Sequence, residues 1–157
     1  MALPYARQYD QAIEQLRKAI EMDPDFFRAH LFLGRAYEQK GMYKEALAAY
    51  QRAVNLEVGS EETVVLLGHL HAVSGNRAEA IRILESLRAL YKRNKVSAYD
   101  LAVIYAGLGE SDQALEWLNK AYAERTGGLL LLKAEPFFEK LHPDSRFADL
   151  LRRMNLS

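Results

Sequence analysis

The sequence predicts an all-α protein, a solenoid of antiparallel helix pairs closed by a helical C-terminal cap. Three observations carry that prediction. The dipeptides Ala12-Ile13, Ala46-Leu47, Ala80-Ile81 and Ala114-Leu115 recur at intervals of 34 residues, with no gap needed. Around each alanine, small or apolar residues fall at i, i+4 and i+7: Leu16 and Ala19, Tyr50 and Ala53, Leu84 and Leu87, Leu118 and Ala121. That spacing marks one face of a helix. Five residues before the last three alanines stand Gly41, Gly75 and Gly109, where one helix must stop and the chain reverse. Glycine takes a positive φ there without a Cβ clash.

Each unit therefore reads as helix, tight turn, helix. The pattern predicts helices over residues 9–22, 27–40, 44–57, 61–74, 78–92, 96–108 and 112–125. Asp23-Pro24-Asp25 ends the first, because proline cannot donate a helical hydrogen bond. Ser60 ahead of Glu61-Glu62 supplies an N-cap with carboxylates on the positive helix end. Ser111-Asp112 opens the helix after Gly109. Small residues such as Gly34, Ala36 and Ala46 let paired helices approach closely, and Tyr37 and Tyr50 fill the space between units. After Gly127-Gly128 the period is lost. Pro136 and Pro143 divide the tail into short helical pieces near 129–134, 136–141 and 145–154, with Phe137, Phe138, Leu141, Phe147, Leu150 and Leu151 on an apolar face. A helical array needs such a cap over its last core.

These residues resemble the tetratricopeptide repeat. His30, Leu33-Gly34, Tyr37, Gly41, Ala46, Tyr50 and Ala53 match its pattern best, within residues 27–60. The first unit adds Ala12, Leu16, Ala19 and Pro24. Departures are the closing proline, replaced by Val58, Lys92 and Thr126 in later units, His71 in place of a tyrosine and Leu87 in place of an alanine. The resemblance implies an array over residues 1–128, with a truncated first repeat at 1–26, full repeats at 27–60, 61–94 and 95–128, and capping helices at 129–157. In that register the first helix of the first unit is mostly missing, with Pro4 interrupting what remains. Ile13, Leu16 and Ile20 are then left as exposed apolar surface, a candidate self-association site. The tail resembles the closing segment of bacterial tetratricopeptide proteins whose array follows a signalling or regulatory domain.

Composition narrows the function. Hydrophobic residues are 50% and charged residues 27%, which excludes a disordered chain. No run approaches the roughly 18 apolar residues of a bilayer span, and no signal peptide precedes the first unit, so the expected location is cytoplasmic, without a membrane partner. The absence of cysteine excludes disulfides, thiolate metal sites and cysteine nucleophiles. Lys plus Arg and Asp plus Glu are 21 each. A formal charge of zero leaves nucleic acid only a local patch to bind, and none is expected as a partner. The basic stretch Arg88, Lys92, Arg93, Lys95 lies at a helix C-terminus, where it offsets the helix dipole; nucleic-acid contact there is the alternative. His69 and His71 are two apart on a helix, turned about 200° from each other, and cannot share one metal. His71, at a packing-tyrosine position, is expected to be buried and hydrogen-bonded. With no nucleophile–base set, P-loop or metal motif, neither catalysis nor a cofactor is expected.

A binding surface remains. The resemblance implies that the first helix of each unit lines an inner, concave wall. Its candidate partner-binding residues are Arg28, Leu31, Phe32, Arg35 and Gln39, then Val65 and His69, then Tyr99 and Asp100. The Lys and Asn carboxylate clamp of chaperone-binding members is absent, since Leu31, Val65, Tyr99 and Arg35, His69, Val103 hold those places. The expected function is a non-catalytic protein–protein interaction module that binds a partner peptide or protein segment. The alternative is self-association, as a homodimer through the N-terminal helix.

Overall fold

The computed structural model describes residues 6–156, and every regular element among them is helical. Eight α-helices run in chain order: α1 (Ala6–Met22), α2 (Phe27–Gln39), α3 (Tyr43–Leu56), α4 (Glu61–Val73), α5 (Arg77–Lys92), α6 (Ala98–Gly107), α7 (Ser111–Ala123) and α8 (Ser145–Arg153). Two 3-10 helices, Gly127–Leu131 and Pro136–Leu141, lie between α7 and α8. The boundaries agree with the repeat reading to within a few residues. The expected interruption at Pro4 lies outside the described residues. The chain divides into two compact units that meet within α4: unit 1 ends at Leu70 and unit 2 begins at His71.

The turn glycines do what the spacing requires. Gly41, Gly75 and Gly109 sit at φ of 76°, 90° and 77°. Each closes a tight reversal in which the next N–H reaches back to the preceding helix, as Met42 N does to Tyr37 O at 2.9 Å and Glu110 N to Tyr105 O at 3.0 Å. Caps are local and specific. Ser60 Oγ accepts from Thr63 N at 3.3 Å. Ser97 and Asp100 form a complete capping box at the start of α6, which moves that helix two residues later than expected.

In unit 1, α2 packs against both α1 and α3. Its core holds Ile13, Ala29, Leu31, Leu33, Ala36, Tyr37, Ala46, Ala49, Tyr50 and Ala53. α2 and α3 come close at Gly34: a Cβ built there falls 2.4 Å from a ring carbon of the fully buried Tyr50. Ile13 corrects the sequence reading. It is 6% exposed, while Leu16 and Ile20 are half-buried, because α1 lays this face on α2. Arg17 then closes the edge by hydrogen-bonding Tyr37.

In unit 2, α6 packs on α7, the second 3-10 helix on α6, and α8 on α7. Leu101, Ala102, Ile104, Ala114, Leu118 and Ala121 form the core of the pair. The tail adds Leu132, Phe138, Phe147 and Leu150, all fully buried. The buried residues Phe147, Leu150 and Leu151 of α8 fall 33 residues after Ala114, Trp117 and Leu118 of α7. The tail thus continues the repeat with one residue deleted and with a 3-10 helix in the first-helix place. Polar contacts also join α7 and α8 at a similar interval. Arg146 bridges to Asp112 at 2.9 Å and Arg153 donates to Asn119 at 2.6 Å, each 34 residues apart.

Candidate functional site

The first helix of a repeat has one stripe left over once both neighbours have packed. On α2 that stripe is Arg28, Phe32, Arg35 and Gln39, spaced 4, 3 and 4 residues, so all four share one face. Nearly every other residue of α2 is buried: Ala29 to Leu31, Leu33, Gly34, and Ala36 to Glu38. Phe32 is 45% exposed. The part of a phenylalanine ring left in water costs free energy. The Arg28 guanidinium lies 5.4 Å from its ring centroid and grips Glu62 of α4 with two hydrogen bonds of 3.2 Å. Arg28 and Glu62 are 34 residues apart, equivalent positions in successive repeats. The fork fixes the cation over the aromatic face, where a ring's negative quadrupole attracts it.

Beneath the stripe lies a buried polar group. Glu38 is 6% exposed and His69 5%, with Glu38 Oε2 2.7 Å from His69 Nδ1. Burial of Tyr50, and next the neighbouring Glu38 carboxylate, push its phenol well above the ordinary tyrosine range. This group ties α2, α3 and α4 together inside unit 1.

The nine sequence candidates separate accordingly. Arg28 and Phe32 are exposed, and Arg35 and Gln39 half-buried. Leu31 at 1%, Val65 at 6% and His69 at 5% are buried, so their side chains serve the packing of unit 1. The two histidines exchange roles: His69, expected to face a ligand, is the buried one. His71, expected to be buried, is half-exposed and meets Asn76 Nδ2 at 3.3 Å through its ring nitrogen. In unit 2, Tyr99 is half-buried with its ring 5.5 Å from Phe138. Asp100 accepts from Ser97 N at 3.0 Å as part of the capping box. Both are committed to local structure. Sequence reasoning read Glu62 as a carboxylate at a helix N-terminus and missed that it pairs with and orients Arg28; the 34-residue interval between opposite charges is the signal that finds it.

Among the described residues no group of three or more His, Asp or Glu side chains is placed to hold a metal, and no helix is long and apolar enough to cross a membrane.

Family models for the tetratricopeptide repeat match residues 2–57 and 71–127, which are 56 and 57 of the 157 residues. The chain is 24% identical over 115 residues to the TPR repeat-containing protein YpiA of Bacillus subtilis, covering 72% of this chain and 27% of that protein. It is 39% identical over 51 residues to the small glutamine-rich tetratricopeptide repeat-containing protein 2 of Saccharomyces cerevisiae, covering 32% and 15%. Against the anaphase-promoting complex subunit cut9 of Schizosaccharomyces pombe it is 26% identical over 130 residues, covering 83% and 18%. The chain therefore spans less than a third of the length of each of these relatives. With a gapless 34-residue period through one truncated and three full units, helix pairs turning on Gly41, Gly75 and Gly109, and two matching family models, the chain carries tetratricopeptide repeats.

Proposed function

We propose that this chain is a non-catalytic protein-interaction module that holds a partner's extended or helical segment against the α2 stripe. Repeats of this family generally mediate protein–protein interaction. The observation that carries the finer reading is Phe32: a large apolar ring, half in water, on a first helix, with a cation fixed over it by Glu62. Arg35 and Gln39 extend the stripe with donors, so the fitting segment presents an apolar anchor beside an acceptor or acidic group. A cytoplasmic setting within a larger bacterial regulatory protein is part of the same proposal, supported by the tail's resemblance.

The test is a displayed peptide library panned on the protein, with the selected peptides titrated against the parent and against Phe32→Ala. The reading expects selected peptides to share an apolar residue and to bind Phe32→Ala at least about tenfold more weakly, as for a central anchor. Equal affinity for both proteins refutes it.

Self-association through α1 is the second reading. Half-buried Leu16 and Ile20 and the fully projecting Met22 favour it, while burial of Ile13 removes the centre of the expected patch. Light scattering on Leu16→Glu decides it: a dimer of the parent that the variant dissociates supports this reading, and a monomeric parent ends it.

A further inference from the structure

The second surface lies wholly within unit 2, where α5 ends. The segment from Ser86 to Tyr99 carries Arg88, Lys92, Arg93 and Lys95 and no carboxylate, in a chain whose formal charge is zero. All four are exposed. Among the described residues none of the four makes a side-chain hydrogen bond or ion pair, although most other surface arginines do. The end of α7 lies beside this segment. Tyr91 of α5 stacks edge-on against Trp117 of α7 at 5.0 Å and donates its hydroxyl to Glu124, which brings the two helix C-termini together. Glu124 thus brings one carboxylate to the edge of the patch, and the exposed Arg125 that follows it in sequence offsets that charge.

The equivalent turns of the earlier repeats have the opposite sign. The first holds Glu21, Asp23 and Asp25, and the second Glu57, Glu61 and Glu62. The helix dipole does not account for the inversion. It presents about half a negative charge, felt within the last turn, and only Lys92 lies there. Arg88 precedes that turn, and Arg93 and Lys95 lie beyond the helix.

We infer that the α5 end, Arg88, Lys92, Arg93 and Lys95 with Arg125, is a docking surface for an acidic polypeptide segment. The details favour carboxylates over a phosphate backbone. A phosphate site draws on free backbone N–H groups at a helix N-terminus or nest. Here the amides of Arg93, Asn94 and Lys95 are already spent on Leu90 O, Tyr91 O and Leu90 O, at 3.0, 3.0 and 2.9 Å. Single-stranded nucleic acid needs aromatic faces to stack on. Trp117 is buried beneath Lys120, whose ammonium sits 4.2 Å from the ring centroid, and Tyr91 is held against it. What remains is a spread of exposed cationic groups, which suits a run of Asp and Glu side chains.

The experiment titrates an end-labelled oligoglutamate peptide into the full chain by fluorescence anisotropy at low and at physiological salt. Two variants carry the same net charge. One changes Arg88, Lys92, Arg93 and Lys95 to Gln; the other changes the exposed Arg7, Lys44, Lys133 and Lys140 to Gln. Circular dichroism checks that both fold, and all eight side chains are exposed. The inference expects the parent to bind with strong salt dependence, the first variant to bind at least about tenfold more weakly, and the second to bind like the parent. Equal loss in both variants would reduce the effect to net charge and overturn it. So would absence of binding at low salt, or oligothymidylate of matching charge binding more tightly than oligoglutamate.

Discussion

Replacing Gly34 by Ala sets two known effects against each other, and the structure decides between them. Alanine in a helix interior is favoured over glycine by about 0.8–1.0 kcal/mol. An isolated α2 would therefore gain stability. In the folded protein the new Cβ would sit 2.4 and 2.5 Å from two ring carbons of Tyr50 and 3.0 Å from a third. Real carbon contacts lie near 3.5–4.0 Å, so α2 or the ring must shift by about 1 Å. Tyr50 is 0% exposed, with Ala46 and Ala53 of its own helix equally buried, so its ring has no open space to enter. Overpacking of this kind costs about 1–3 kcal/mol, occasionally more. The net expectation for Gly34→Ala is destabilisation by about 1–2 kcal/mol, or about 2–8 °C in Tm for a chain of this size. Thermal and urea melts followed by circular dichroism measure it. In a Tyr50→Leu background the clash is gone, and the same substitution should become neutral or stabilising, a coupling readable as a double-mutant cycle. A stabilising Gly34→Ala in the parent would refute the close approach of α2 and α3.

Glu38→Ala removes the carboxylate packed against the buried His69 and should cost about 1–3 kcal/mol in a urea melt; no measurable cost would mean that water reaches the pair. Removing residues 129–157 forfeits Leu132, Phe138, Phe147 and Leu150, each worth roughly 1.5–3 kcal/mol of burial. We expect aggregation or a clear drop in melting temperature, and unchanged stability would show the tail to be passive. Asp144 caps α8 by accepting from Arg146 N at 2.9 Å, and the Arg146 guanidinium holds its carboxyl below the usual range. A lowered folded-state value means this stabilisation is present above the ordinary aspartate range and is lost as pH falls through the lowered value. Asp144→Ala should lower stability at neutral pH, as the loss of an N-cap does, and lower it less in acid. A cost that grows on acidification would contradict the sign.

The helices were legible because a gapless 34-residue period repeats both the apolar face and the turn glycine, and local chemistry sets both. Burial at single positions was not. Periodicity places His69 and His71 on one helix but does not say which meets Glu38, since that depends on how α2 and α4 approach. Leu31 and Val65 sit on the predicted binding face by register, yet their apolar side chains turn into the packing beside Arg28 and Phe32. Ile13 is covered because α2 comes close enough to need no further partner. The tail hid its repeat behind one deleted residue and a 3-10 helix, opened by Pro136, in the place of an α-helix. The site reduced to the α2 stripe because charge and aromatic exposure survive there only where Glu62 orients Arg28.

The most direct measurement maps where a partner lands. Backbone amide shifts of the isotope-labelled protein, recorded while a library-selected peptide is added, report contact residue by residue. The account predicts the largest changes at Arg28, Phe32, Arg35 and Gln39, and their loss in Phe32→Ala. Changes confined to α3, α5 or α7, with the α2 stripe silent, would contradict it.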